Sequence, residues 1–292
     1  MAATARDGAT RLAHGTLQVE TTRDRALLRE FLMQDRLGAA YAICDLEDRE
    51  FAKTRWGIAR ADGEPVAVVL EYRGLSPQPL FVMGEPEGIA AVLRDVITPR
   101  LVYLAANGAH LPAIERLYRI DPGPPMLRMW VNRATFQPAS GVALRLLPVE
   151  IGDLNRLYGL GFTSWLAPEA IAQGVYYGVR LGGRLIAAAG THVISPAARL
   201  GVVGNVLTQP EFRGRGYAKL TTSAVTQELL RTCEDVVLNV RSDNPPAIAA
   251  YRALGYREYS RFEERLARRR GAPWDSIVRQ LRKLLSRSKE SE

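Results

Sequence analysis

Short apolar runs punctuated by glycine turns, and longer stretches with apolar residues every three to four positions, predict strands and helices in alternation along this chain. Trp56-Gly-Ile-Ala-Arg-Ala-Asp-Gly before Pro65-Val-Ala-Val-Val, and Tyr177-Gly-Val-Arg-Leu-Gly-Gly before Leu185-Ile-Ala-Ala-Ala, both read as strand, turn, strand. Lys219 to Leu230 places Leu220, Ala224 and Leu229 at helical spacing, directly after Arg213-Gly-Arg-Gly-Tyr-Ala218.

The two hairpins belong to a wider internal repeat. Leu17-Gln-Val-Glu with the following Leu27-Leu-Arg-Glu-Phe echoes Leu144-Arg-Leu-Leu with Leu154-Asn-Arg-Leu-Tyr. Leu101-Val-Tyr-Leu-Ala-Ala with Pro112-Ala-Ile echoes Val236-Val-Leu-Asn-Val with Pro246-Ala-Ile. The offset between copies is 120 at the hairpins and 134 at these later strands, so the second copy carries 14 extra residues in between, where its glycine-rich segment lies. Each copy reads as strand, helices, hairpin, strand, helix, strand, helix, strand, a mixed α/β layer architecture. The loop formers Gln137-Pro-Ala-Ser-Gly141 mark the boundary after the extended run Met126-Leu-Arg-Met-Trp-Val. The expected organisation is a tail over 1–16, a first domain over 17–138, a second over 139–270, and a basic amphipathic helix over 271–292.

A length of 292 residues agrees with two domains, and 47 % hydrophobic with 24 % charged residues describes a chain able to bury ordinary cores. No apolar stretch suits a membrane span or a secretory leader, so a cytoplasmic protein with no membrane partner is expected. Cys44 and Cys233 form no CxxC pair, and His14, His110 and His192 lack ligand-like spacing, so no metal site is expected. Of the net charge of +8, five units fall in Arg261 to Glu292, so the excess is terminal and nucleic-acid binding is not expected.

Chemistry concentrates at Arg213 to Ala218. Gly214 and Gly216 precede a helix start, where close backbone approach, unpaired N–H groups and the helix dipole suit an anion such as a diphosphate. A Walker loop fails because the chain has no Gly-Lys pair, and a dinucleotide fingerprint fails because Lys219 stands where its third glycine belongs. Arg213, Gly216 and Ala218, entered through Thr208-Gln-Pro210, resemble the Arg/Gln-x-x-Gly-x-Gly/Ala segment of the GNAT superfamily of N-acetyltransferases. Asn244-Pro-Pro-Ala-Ile-Ala-Ala-Tyr251-Arg-Ala-Leu-Gly255-Tyr256, following Val236-Val-Leu-Asn-Val, resembles the family's fifth strand, next helix and Leu-Gly-Phe/Tyr ending. The likeness covers roughly Gly141 to Arg270. Within the superfamily, Gly204-Asn-Val-Leu-Thr-Gln-Pro-Glu-Phe-Arg-Gly-Arg-Gly216 most resembles the branch of the glycine N-acyltransferases. The first copy resembles a degenerate member, as in tandem acetyltransferases such as the mycothiol synthases.

The resemblance implies two tandem GNAT-like mixed-sheet domains, acetyl-CoA or another acyl-CoA as donor, and a small-molecule or peptide amine as acceptor. It implies that Val206, Leu207 and Thr208 pair with the pantetheine arm and offer an N–H to the thioester oxygen. The backbone of Arg213, Gly214, Arg215, Gly216, Tyr217 and Ala218 would hold the diphosphate. Tyr251 matches the tyrosine that protonates the departing thiolate, and Asn244 matches a polar residue that contacts the cofactor; read from its own sequence, Asn244 is equally a helix cap. Leu200 to Leu207 contains no acid to serve as base, which leaves Glu211 and His192 as candidates. In the first copy, His110 stands where Asn244 does and Leu117 where Tyr251 does, so one active site is expected. Phe162, Ser164, Trp165, Tyr176 and Tyr177 fall where the family receives its acceptor, with Ser164, Trp165 and Tyr177 as the substrate candidates, although each reads equally as core. Apolar Trp274, Ile277, Val278, Leu281, Leu284 and Leu285 give the tail one docking face. Rival readings are a non-catalytic acyl-CoA-binding module and a tRNA-linked aminoacyl transferase whose nucleic-acid arm would be the basic tail.

Overall fold

The computed structural model describes residues 17–160 and 166–271. The tail over 1–16, the candidates Phe162, Ser164 and Trp165, and the helix expected after Gly271 lie outside the described residues. In chain order the first half contains β1 (Gln18–Thr22), α1 (Arg25–Met33), α2 (Ala40–Cys44), α3 (Asp48–Phe51), β2 (Thr54–Ala61), β3 (Glu64–Tyr72), β4 (Gln78–Gly84), α4 (Pro86–Asp95), β5 (Leu101–Ala106), α5 (Leu111–Glu115), β6 (Tyr118–Ile120) and β7 (Met126–Asn132). The second half contains β8 (Leu144–Arg145), α6 (Ile151–Tyr158), α7 (Pro168–Gln173), β9 (Tyr177–Leu181), β10 (Arg184–Ser195), β11 (Leu200–Thr208), α8 (Tyr217–Leu229), β12 (Asp235–Arg241), α9 (Pro245–Arg252) and β13 (Arg257–Arg269).

Both hairpins form as the sequence predicts. Asp62-Gly63 and Gly182-Gly183 all have positive φ, the backbone that a two-residue turn between twisted strands requires. The described residues divide into two compact units, one of 17–31, 53–123 and 263–271, the other of 32–52, 124–160 and 166–262. In the first, β1 to β4 are successive antiparallel neighbours, β4 runs parallel to β5, and β5 is antiparallel to Glu263–Arg268 of β13. In the second, β8 to β11 are successive antiparallel neighbours, β11 runs parallel to β12, and β12 is antiparallel to β7. One topology therefore occurs twice, as the internal echoes lead one to expect.

The division does not follow a linear boundary at 138/139. Beside β5 stands the end of β13, and beside β12 stands β7, so the strand next to each copy's late parallel strand comes from the other copy's stretch of sequence. Residues 32–52, carrying α2 and α3, also belong to the second unit. Apolar alternation fixes which face of a strand is buried but leaves its neighbour to be chosen by tertiary packing.

In the first unit, α4 sends Ile89, Val92 and Leu93 into a core with Val69, Leu80, Val102 and Leu104. In the second, Val225 and Leu229 of α8 pack with Val203, Val236 and Leu238, and the same cluster takes Ile248, Tyr251, Leu254 and Tyr256. A left-handed Gly255 (φ +87°) ends α9, while Tyr256 N–H reaches back to Tyr251 O at 3.1 Å. A Cβ at Gly255 would lie 1.9 Å from Thr135 O, so shape as well as φ demands glycine in the Leu-Gly-Tyr ending. Tyr256, fully buried, shares a 2.7 Å hydrogen bond with the Thr226 hydroxyl, tying this ending to α8.

No helix among the described residues is long and apolar enough to cross a membrane. No cluster of three His, Cys, Asp or Glu among them is placed to hold a metal ion.

Gly255→Ala is expected to lower unfolding stability by at least about 2 kcal/mol, because it combines an unfavourable φ with a backbone clash. Urea denaturation followed by tryptophan fluorescence measures it; a loss below about 0.5 kcal/mol contradicts the close approach described here.

Candidate functional site

β11 and β12 lie side by side only from Leu200–Val203 opposite Asp235–Leu238, and then part. β11 continues to Thr208 and β12 to Arg241 with no ladder between them. The cause lies in β11. Asn205 adopts φ +51°, and the register with β10 slips between the Ala188 and Gly190 pairs, which marks a bulge. The bulge reverses the strand's alternation: Val203 and Val206, three apart, both join the core beneath α8, while Leu207 packs with the α6 cluster. Val206, Leu207 and Thr208 thus present an edge with no strand partner on the β12 side, where main-chain groups are open to an extended ligand.

The edge leads into the glycine segment. After Gln209 the chain makes a single turn over Pro210–Phe212, passes through left-handed Gly214 (φ +76°) and Gly216 (φ +82°), and enters α8 at Tyr217. Gly216 is the N-cap residue and offers no side chain to the helix start. The helical ladder begins at Leu220 N–H to Gly216 O, which leaves Tyr217, Ala218 and Lys219 with amides that have no intrahelical acceptor. A Cβ at Gly214 or Gly216 would meet no atom within 4 Å, so the cradle is open. The Tyr217 ring packs with Phe212 and Leu220 against the Val179, Ile186 and Ala187 cluster, so this residue offers its backbone. Arg213 donates to Thr208 O at 3.3 Å, and the Arg215 guanidinium lies 5.5 Å from the Phe212 ring centre. At the entry, buried Thr208 Oγ1 and Gln209 Oε1 have no hydrogen-bond partner. Unpaired polar atoms beside an anion cradle are what a polar ligand arm would satisfy.

Tyr251 sits on α9 with 7 % of its surface exposed, its ring tilted against that of Tyr256 at 6.1 Å. Its hydroxyl has no protein hydrogen-bond partner among the described residues. Burial pushes its pKa up to about 12, so the phenol keeps its proton at neutral pH. Asn244 caps α9, its side-chain oxygen accepting from Ala247 N–H at 3.3 Å. The capping role is thus present in the structure.

The two base candidates differ. Glu211 is on the exposed turn before the cradle and pairs with Arg184 at 2.9 Å. His192 instead stands at the parting of the strands. Its Nδ1 lies 2.6 Å from the Tyr41 hydroxyl and its Nε2 lies 3.2 Å from Asn205 Oδ1, at the bulge. Asn205 Nδ2 donates to the Tyr176 hydroxyl at 3.1 Å, which donates to Thr191 O at 2.9 Å, while Tyr158 donates to Asn205 O at 2.6 Å. The paired glycines Gly190 and Gly204 provide the seats: a Cβ on either would strike the Tyr176 or His192 ring, at 2.1 Å and 2.2 Å. Desolvation by the protein around its ring holds His192 below the usual histidine pKa, against a smaller raising effect of its Asn205 bond. Tyr176 is therefore a buried structural aromatic. Tyr177 points elsewhere, donating to Glu228 at 2.6 Å near the far end of α8 from the cradle, so it is not brought together with the groups above.

Sequence reading missed Tyr41, Asn205 and Tyr158. The only local signal was Gly204-Asn205 within an apolar strand, a pair that disfavours regular pleating.

The first copy parts its strands similarly, since β4 and β5 pair only from Gln78–Phe81 opposite Val102–Ala105. Its helix start is different. Glu85 is the N-cap of α4, Pro86 follows without an N–H, and Glu87 adds a second carboxylate in the first turn. Gly84 leaves no room, its Cβ position lying 2.2 Å from Val66 O. Two acids at the positive end of the helix oppose a diphosphate there. Leu117 supplies no hydroxyl, and His110 is kept below its usual pKa by burial.

A family model described as FR47-like protein matches residues 176–266. A mycothiol acetyltransferase of Tsukamurella paurometabola is 40% identical over 80 residues, 27% of this chain and 27% of that protein, so the match spans about a quarter of the relative's length. Among solved structures, a GCN5-related N-acetyltransferase from Sphaerobacter thermophilus superposes with a TM-score of 0.58 at 17% identity, covering 86% of this chain and 95% of that one. A tandem GNAT protein from the clavulanic acid biosynthesis pathway gives 0.55 at 15% identity, covering 88% and 99%. At such identities the likeness is one of fold. Residues 176–266 thus resemble an FR47-like segment, and the chain, in which one strand topology occurs twice, shares the fold of solved GNAT proteins, a tandem one among them.

Proposed function

We propose that the second copy is an N-acyltransferase that moves the acetyl group of acetyl-CoA to a primary amine by direct attack on the thioester. The observation that carries this reading is the parted pair β11 and β12, which opens at one end onto a glycine cradle and has the unpartnered Tyr251 hydroxyl on the helix that follows β12. Acetyl-CoA supplies the activated acyl group and a thiol leaving group. The amides of Tyr217, Ala218 and Lys219 hold its diphosphate at the positive end of α8. The edge Val206–Thr208 aligns the pantetheine arm as an extra strand and offers a main-chain N–H where negative charge develops on the carbonyl oxygen. Tyr251, neutral at working pH, gives its proton to the departing sulfur. Asn244 fixes the start of α9, which carries Tyr251.

The acceptor is a small-molecule or peptide amine, a reading supported by likeness to a mycothiol acetyltransferase over part of the second copy. The first copy, with Glu85 and Glu87 at its helix start, serves as a degenerate partner. The pattern from Gly204 to Gly216 supports a likeness to the glycine N-acyltransferase branch.

Calorimetric titration of acetyl-CoA tests the donor site. Wild type and Gly216→Asn, whose side chain tolerates left-handed backbone, are expected to bind within about tenfold of each other. Gly216→Asp, of the same shape but charged, is expected to bind roughly a hundredfold more weakly, in line with an anion placed against an anion site. Equal affinity of the Asn and Asp variants, or no binding by wild type, removes the proposal.

Tyr251→Phe is expected to leave stability within about 0.5 kcal/mol, since no protein bond is lost, and to lower kcat by roughly 10²-fold with little change in acetyl-CoA affinity. Because the phenol titrates near 12, no alkaline loss of kcat from this residue is expected at neutral or mildly basic pH. Thermal melts, steady-state kinetics and a pH profile check these outcomes; an unchanged kcat assigns thiolate protonation to another group.

A further inference from the structure

We propose that Tyr41 takes the proton from the acceptor amine and passes it to His192, in a relay held by Asn205 and Tyr176. The proposal rests on the acyltransferase reading and deepens it. That reading lacks a base, because Leu200–Leu207 contains no acid and Glu211 is engaged by Arg184 on the exposed turn.

Geometry sets the direction of the relay. Asn205 Nδ2 is committed to Tyr176, so Asn205 Oδ1 faces His192 Nε2, and that nitrogen must carry the imidazole proton. Nδ1 is then the lone pair, and it accepts from the Tyr41 hydroxyl at 2.6 Å. From Tyr41 through His192, Asn205 and Tyr176 to Thr191 O, every contact has one donor and one acceptor. An amine reaching the Tyr41 oxygen therefore meets an acceptor whose own proton is already aligned on a base.

The relay stands where the thioester would be. Asn205 directly precedes the Val206–Thr208 edge. On the other strand, Asn239 lies one residue beyond the last β11 partner, Leu238, and accepts from Arg128 Nε at 3.1 Å. Arg128, 5 % exposed, donates to Leu37 O at 3.0 Å and lies 5.5 Å from the Tyr41 ring centre. Both branches of the fork thus hold the Tyr41–His192 pair. The groups facing it are Tyr41 from α2, Arg128 from β7, Asn205 from β11, and Tyr176 and Tyr158, whose phenols burial keeps neutral. Protein packed around the ring lowers the His192 pKa, which favours the unprotonated state that a base requires.

The protons balance as follows. An acceptor ammonium gives one proton to Tyr41 Oη as the Tyr41 proton moves to His192 Nδ1. The free amine forms the new C–N bond and the C–S bond breaks. Tyr251 protonates the sulfur, the second amine proton restores Tyr251, and His192 releases its proton to solvent. Tyr41 touches the substrate; His192 acts through it.

The test uses full-length wild type, Tyr41→Phe and His192→Gln, with acetyl-CoA as donor. The acceptors are ethanolamine, glycine, glucosamine and the dipeptide Ala-Gly, with hydroxylamine as a nucleophile largely unprotonated at neutral pH. Acetyl-CoA affinity and melting temperature are measured for all three proteins. Both variants are expected to lose roughly 10²-fold in kcat with the ammonium-type acceptors, to stay within a few-fold of wild type with hydroxylamine, and to bind acetyl-CoA unchanged. Wild-type kcat/KM is expected to show an acid limb with an apparent pKa below the usual histidine value; His192→Gln loses the plateau above it.

Wild-type rates in both variants overturn the relay while leaving the acyltransferase reading intact. Equal losses with hydroxylamine and with the amines also overturn it, as they report structural damage. Failure of wild type to bind acetyl-CoA, or binding without transfer to any acceptor, overturns the acyltransferase reading and the relay with it.

Discussion

The bulge at Asn205 is the constraint on which the second copy depends. A parallel pair of strands gains a hydrogen bond at each step while it stays in register, so parting after Val203 and Leu238 needs a local cause. One residue in left-handed backbone supplies it, turning the strand's alternation over and releasing the edge Val206–Thr208. Everything proposed for the donor follows from this edge and from the loop it feeds.

The same residue organises the polar side of the fork. Its side chain joins His192 to Tyr176, and its carbonyl accepts a hydrogen bond from the Tyr158 hydroxyl. Isolated buried polar groups are costly, whereas a chain in which each donor finds an acceptor fixes orientation. Gly190 and Gly204, opposite each other across two strands, admit the rings that such a chain needs. A strand segment that looks poor in propensity, Gly-Asn within valines and leucines, thereby exchanges regular pairing for a placed set of side chains.

Much of this could be read from the amino-acid sequence. The duplication, the Asp62-Gly63 and Gly182-Gly183 hairpins, the glycine cradle before α8 and the capped α9 are local patterns, and local patterns survive folding. The sheet neighbours of β5 and β12 are different. Met126–Asn132 reads as an extended run, but nothing in its alternation states that it pairs with Asp235–Arg241. The relay was equally hidden, because Tyr41, His192 and Asn205 approach from distant positions, and only the closed sheet brings them together. Tyr177 shows the converse: an aromatic at a suggestive position, committed by Glu228 to the far end of α8.

The exchange of neighbouring strands also imposes a schedule on synthesis. When β12 leaves the ribosome its neighbour β7 has long been available, so the second sheet can close at once. β5 has to wait for Glu263–Arg268, made long after it. At translation rates of about 5 to 20 residues per second, the wait is roughly ten to thirty seconds. Throughout it, the first copy carries an open strand edge, the kind of surface that recruits chaperones or wrong partners. The first copy is thus the last to be completed.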